Sequence, residues 1–269
     1  MDSRRLELLR ALDIDVWQRR DRQPPAMVEA AAEPAVVART IVAPAPIAEP
    51  AVRAPERRVA QADIAPIADT SPAKPVPDVS GLGWDALNQA VSACTLCDLH
   101  KTRTRPVFGV GNRQAQWMII GEAPGQDEDR QGEPFVGKAG QLLNAMLHAV
   151  GLAREEVFIA NILKSRPPNN RDPRPEEVRV CMPYLYRQIE LVNPRLILCV
   201  GRIAAQNLLN TTETIGRLRG RLHHLTTGRP MIVTYHPAYL LRSPAEKRKS
   251  WADLVLAMQT FERLGGVHA

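Results

Sequence analysis

The sequence predicts an α/β domain of three layers, with helices on both faces of a four-stranded, mainly parallel central sheet. Two observations carry this. From Trp84 onward, short apolar runs suited to buried strands recur along the chain. Between them lie longer stretches with apolar residues at helical spacing. Strand–helix alternation of this kind favours parallel pairing with crossover helices.

Taken in order, strands are expected at 116–120, 157–162, 195–200 and 231–235, and helices at 140–150, 176–192, 202–209 and 245–264. Pro175 followed by Glu176 and Glu177 makes a good helix start, because proline presets φ and the acids face the positive end of the helix dipole. Asn193-Pro194 is a matching stop. No internal repeat is present.

The N-terminal part is of a different kind. Residues 23–80 hold 11 prolines and 16 alanines, with no glycine, aromatic or cysteine. Such a stretch buries too little apolar surface to offset the entropy of ordering it and is expected to be a disordered linker. Residues 1–22 place Leu6, Leu9, Leu12 and Trp17 near helical spacing. They are expected to form a short amphipathic helix, either packed back on the domain or docking to a protein partner. The folded domain is then 84–269 of a 269-residue chain. A domain of that size buries roughly 70% of its unfolded surface.

Charge divides along the same boundary. Residues 1–83 carry 11 basic and 12 acidic side chains, and the remainder 24 and 17. The positive excess therefore sits on the folded part, which favours a polyanionic partner. Four cysteines, at 94, 97, 181 and 199, are too few for a disulfide scaffold. No signal peptide and no run of 18 apolar residues is present. A cytoplasmic monomer with no membrane association is the expectation.

In an open parallel sheet, ligands bind beyond the carboxyl ends of the strands. After the first strand comes the acidic loop 121–129, running on to Gly132-Glu-Pro-Phe-Val-Gly137. The second strand delivers Asn161 and then Arg166-Pro-Pro-Asn-Asn-Arg171, the third Gly201-Arg202, and the fourth His236-Pro-Ala-Tyr-Leu-Leu-Arg242. Carboxylates, an amide, an imidazole and an aromatic thus converge on one rim. The run from Gly132 to Ala139 nearly matches the phosphate loop G-x-x-x-x-G-K-S/T. However, Ala139 lacks the hydroxyl that would hold magnesium, and Glu133 would face the phosphates.

The three runs GEAPGQDEDRQGEPFVGKAGQLLN, NILKSRPPNNRDP and HPAYLLRSP together resemble the family 4 uracil-DNA glycosylases. The likeness extends from about Ala93 to the C-terminus. It implies a uracil-DNA glycosylase-like fold and a monofunctional DNA repair hydrolase that releases uracil from DNA and leaves an abasic site. A base inside the stack must be flipped out to react, at a cost of a few kcal/mol. The resemblance implies that Phe135 stacks on the uracil, Asn161 pairs with its edge, and the backbone at Ala123 lines the pocket. Asn169 would position water or substrate. His236 would donate to the uracil oxygen as a neutral imidazole, with Glu122 and Glu128 as acid–base candidates. Asp127 and Asp129 are close neighbours of the same type. Leu240 or Leu241 would fill the vacated space in the DNA, with Arg242 near phosphate. Lys138, Lys164, Arg166, Arg171, Arg217 and Arg219 are further phosphate candidates. The alternative is a non-catalytic DNA- or polymerase-associated module that keeps only the fold.

Cys94-Thr-Leu-Cys97 is a short-range pair suited to metal, and four cysteines invite a four-ligand cluster, which the resemblance implies to be 4Fe-4S. The family pattern departs from a simple count. It puts its third cysteine where this chain has Ser165 and its fourth at Cys181, while Cys199 lies in an apolar strand as an inert core residue. A serine oxygen binds iron less well than a thiolate. A cluster on Cys94, Cys97 and Cys181 with Ser165 or water as fourth ligand, a labile cluster, or none all follow. The three remaining thiols favour the first.

Overall fold

The computed structural model describes residues 75–266. The helix expected at 1–22 and residues 23–74 of the expected linker lie outside the described residues. The folded part takes in more of the chain than 84–269, because Val79 is buried against Leu87, Val91 and Tyr184. An apolar side chain with that much cover belongs to the core rather than to a tether.

Among the described residues six strands make one sheet: β1 (Val110–Gly111), β2 (Trp117–Gly121), β3 (Phe158–Asn161), β4 (Leu196–Val200), β5 (Leu222–His224) and β6 (Pro230–Thr234). They lie in the order β1-β3-β2-β4-β6-β5. The four expected strands are the central ones, and all are parallel. Two short antiparallel edges extend them beyond the expected four. Strands of two and three residues carry no periodic signal of their own.

The helices are α1 (Trp84–Ala93), α2 (Gln126–Gln131), α3 (Lys138–Ala149), α4 (Pro175–Val192), α5 (Arg202–Leu209), α6 (Ile215–Leu218), α7 (Pro237–Arg242) and α8 (Lys247–Arg263). Strand side chains alternate between the faces. Met118 and Ile120 of β2 pack with Leu185 and Ile189 of α4 and Ala205 and Leu208 of α5. Trp117 and Ile119 face the other way, toward Leu143 and Leu147 of α3 and Leu254 and Phe261 of α8. This is the expected three-layer arrangement. Cys199 is fully buried in the first of these faces, and burial pushes its thiol well above the ordinary range. It is the core residue that its apolar strand implies.

Helix α4 begins as expected. Pro175 opens it, and the Glu177 carboxylate accepts the Arg174 N–H at 2.8 Å. It ends at Asn193, whose φ of 54° is the left-handed cap before Pro194. The acidic segment read as a loop is different: residues 126–131 form α2. No helix among the described residues is long and apolar enough to cross a membrane.

Candidate active site

Parallel pairing brings the ends of four strands to one edge of the sheet. The β2–β3 register sets Gly121 beside Asn161, β4 ends before Gly201, and β6 leads through Tyr235 to His236. Beyond them is a cavity of about 410 Å³ lined by Glu122, Ala123, Glu128, Phe135, Asn161, His236 and Arg242, among others. Seven of the predicted site residues therefore meet in one wall.

Asn161 is 2% exposed, and its Oδ1 has no hydrogen-bond partner. An unpaired buried amide oxygen is costly and marks a place where a ligand's donor belongs. Its backbone carbonyl is held at 2.8 Å by Lys164 Nζ, which also donates to Gln188 Oε1 at 2.6 Å. Burial pulls the Lys164 ammonium down to about 7. Lys164 is thus an internal brace for the asparagine and not the surface phosphate contact expected of it. A side chain at Gly121 would put its Cβ 2.5 Å from Asn161 Oδ1 and 2.6 Å from the Phe135 ring. Only glycine leaves that floor open.

Phe135 adopts φ 54°, a left-handed backbone seldom taken by a bulky residue. Its ring lies 5.6 Å from the His236 imidazole at an interplanar angle of 29°. His236 caps α7, its Nδ1 accepting the Ala238 N–H at 3.1 Å. An Nδ1 that accepts leaves the proton of the neutral ring on Nε2. Burial first, then Arg242, pulls its pKa down to about 4, against a smaller opposing pull from Glu128.

The carboxylates separate into distinct roles. Glu122 is pushed up to about 7, chiefly by burial and then by Asp172, with Arg202 opposing. Glu128 Oε2 accepts the Gly125 N–H at 3.1 Å, and Oε1 accepts those of Val136 at 2.9 Å and Gly137 at 3.0 Å. Its oxygens are committed to backbone, which argues against an acid–base role. Asp127 pairs with Arg130, and Asp129 accepts the Thr104 N–H at 2.9 Å.

Two predictions need correction. Asn170 lines the cavity, while Asn169 stands exposed with φ 56°. Both asparagines are exposed and left-handed, and Asn170 is the one at the cavity, its Oδ1 accepting from Arg166 Nε at 2.8 Å. Leu240 is 1% exposed and packed in the core, whereas Leu241 is 45% exposed. Consecutive helical positions differ by about 100° of rotation, so one faces the core and the next faces solvent. Of the two leucines only Leu241 is at the surface, with exposed Arg242 beside it. Arg171 and Arg219 are likewise engaged, by Glu177 at 2.6 Å and by buried Asp253 at 2.8 Å. Asp172, which sequence reasoning did not single out, lines the cavity and pairs at 3.0 Å with Arg202, the residue named after the third strand. Its place in the run that follows Asn161 was the available signal.

A second, smaller cavity is lined by Cys94, Cys97, Ser165 and Cys181, with His100, Arg103 and Lys164. Three soft donors and a hydroxyl from two distant segments meet there. Ser165 Oγ accepts from Arg103 Nη1 at 3.0 Å, and Arg103 Nη2 reaches the carbonyls of Ser92 and Cys94. No three His, Cys, Asp or Glu groups among the described residues are placed to hold one metal ion. The cavity, about 10 Å³, has room for one water. Three thiols are the donor type that an iron–sulfur cluster takes. The fourth corner is a hydroxyl already engaged by a guanidinium, and the walls must part for the cube to enter.

An α/β sheet whose rim presents an aromatic platform, an unpaired amide and a neutral imidazole is built to take a planar, polar ring. The family model described as the Uracil DNA glycosylase superfamily matches residues 108–256. The chain belongs to that superfamily. It is 48% identical over 176 residues to a Type-4 uracil-DNA glycosylase of Archaeoglobus fulgidus, covering 63% of this chain and 88% of that protein. To the Type-4 uracil-DNA glycosylase of Thermotoga maritima it is 42% identical over 160 residues, 59% of this chain and 83% of the relative. These likenesses put the chain with the type-4 enzymes. A DNA polymerase of Bacillus phage SP01 is 33% identical over 165 residues, which is 18% of the polymerase.

Proposed function

We propose that the chain is a cytoplasmic, monofunctional uracil-DNA glycosylase of DNA repair, acting on deoxyuridine in DNA. The observation that carries this is the orphaned Asn161 Oδ1 in the wall of the cavity. Uracil offers an N3–H donor beside an O4 acceptor. Oδ1 takes the first and Nδ2 gives to the second, so one amide reads two adjacent groups of the base. Phe135 supplies the stacking face.

The leaving group is a uracil anion and the sugar becomes oxocarbenium-like. His236 Nε2–H donates to the uracil oxygen on which charge grows, and a neutral imidazole keeps that proton during the step. Glu122, as the carboxylate, orients and deprotonates the water that attacks the sugar carbon. Glu128 holds the two loops at their separation. Leu241 fills the space that the flipped nucleotide leaves, and Arg242 meets phosphate.

Incubation with a uracil-containing oligonucleotide followed by alkali should break the strand at uracil. Binding without a break would instead support a non-catalytic module like a segment fused to a polymerase. Asn161→Asp should abolish the break while leaving salt-sensitive DNA binding nearly unchanged. For the second cavity we infer a structural 4Fe-4S cluster on Cys94, Cys97 and Cys181, with Ser165 as its weak corner. Bound there, such a cluster would tie the segment bearing Cys94 and Cys97 to α4 through Cys181. Iron and sulfide analysis of protein purified without oxygen tests it, and protein lacking both would overturn it.

A further inference from the structure

The loop bearing Phe135 is gripped from two sides by opposite charges. Glu128 takes the N–H groups of residues 136 and 137. From the other side Arg154, in the short turn Arg154–Glu156 before β3, takes the preceding carbonyls. Its Nη2 donates to Pro134 O at 2.6 Å and its Nη1 to Phe135 O at 3.2 Å. Nη1 also donates to Asn144 Oδ1 of α3 at 3.1 Å, which braces the guanidinium. The groove around it contains Glu133 and Glu155, yet the fork is spent on carbonyl oxygens. A planar guanidinium suits two successive carbonyls in a way that an ammonium does not. Helix α3 closes the same place from behind, since a Cβ on Gly140 would come within 1.8 Å of Phe135 O.

The conformation gripped in this way is the unfavourable one. Phe135 at φ 54° would relax to negative φ if its carbonyl were free to turn, and the ring would swing with it. We propose that Arg154 is a positioning residue that holds the Phe135 ring in the plane from which it stacks on the base. It acts through the backbone and touches no substrate. This rests on Phe135 being the stacking face.

The test is a double-substitution cycle of Arg154→Gln and Phe135→Leu, read by competition from free uracil and by kcat/KM on uracil-containing DNA. With Phe135 present, Arg154→Gln should weaken uracil competition and lower kcat/KM on the order of ten- to hundredfold, the effect of a small misplacement. In the Phe135→Leu background, the same change should cost no more than about twofold. Arg154→Lys should recover part of the loss. Losses that multiply in the double variant, or uracil competition untouched by Arg154→Gln, would overturn the proposal. If Phe135→Leu alone leaves uracil competition intact, the stacking reading itself fails, and this inference with it. Should Arg154→Gln not fold, Asn144→Ala removes only the brace. It should give a smaller loss that again vanishes in the Phe135→Leu background, and persistence of that loss would count against the proposal.

Discussion

Glu122 and Glu128 are six residues apart, in the same connection and on the same cavity, and the fold uses them in opposite ways. At the end of β2, Glu122 is desolvated, faces Asp172, and is pushed up to about 7. On α2, Glu128 is surrounded by three backbone N–H donors. One carboxylate is kept ready to exchange a proton, and the other is spent on holding a loop. The contrast shows that residue type and nearness to the cavity do not fix what a carboxylate does: burial raises Glu122, while three backbone amides occupy the oxygens of Glu128.

The largest effect that would break this contrast is on rate. Glu122→Gln should lower single-turnover excision by about 10²- to 10⁴-fold, the range for a lost general base. Its melting temperature at neutral pH should be equal or higher, since a desolvated carboxylate is removed. Glu128→Gln should do the reverse, losing stability on the order of 1–3 kcal/mol from its charge-assisted bonds. Its activity should fall less than that of Glu122→Gln. Equal losses of rate in the two variants would erase the distinction.

The pH dependence sharpens it. Excision should rise as pH climbs through about 7, where Glu122 becomes a carboxylate. His236, held down to about 4, should add no limb of its own near neutrality. For stability the signs differ. Glu122 binds its proton more tightly when folded, so its contribution is present at low pH and is lost as pH rises from 4.5 to about 7. His236 binds its proton less tightly when folded, so its contribution is lost as pH falls from 6.5 through about 4. Melting of the wild type and of Glu122→Gln across that range separates the two. The two slopes have opposite signs and overlap between pH 4.5 and 6.5, so they offset in the wild type, and Glu122→Gln should uncover the full loss of stability as pH falls through that range.

The same kind of division recurs on α7 between neighbouring leucines, with its smallest effect at Leu241. Leu240→Ala should cost about 2–5 kcal/mol of stability, as a core truncation does. Leu241→Ala should stay within about 0.5 kcal/mol of the wild type, as surface changes do. It should slow excision from duplex DNA more than from a single strand. Thermal melts and the two substrates decide it.

Much of the fold was legible from periodicity. All four central strands and four of the helices stand where the apolar pattern puts them, because burial on a sheet face demands apolar residues wherever the strand runs. What was missed is the ten-residue α1, the short helices α6 and α7, α2, read as a loop from its acids, and the two edge strands. At the site, Phe135, Asn161 and His236 were found through their motifs and their places after strands. Lys164, Asn169 and Leu240 were misplaced, because orientation around one bond or one helical step decides their exposure. Arg154 was missed altogether. A lone arginine in a polar turn resembles a solubilising one until its carbonyl partners are brought to it.

The sequence by itself determined the layers, the strand order's parallel core, and the set of chemical groups delivered to one rim, since these follow from apolar pattern and from what comes after each strand. Tertiary structure alone decided which of those groups stay free. Asn161 keeps an unpaired oxygen because Gly121 leaves the space beside it, and Glu128 loses its freedom because three amides from two loops converge on it. Burial and hydrogen bonding are set by residues distant in the chain, and local sequence does not record which of them will meet.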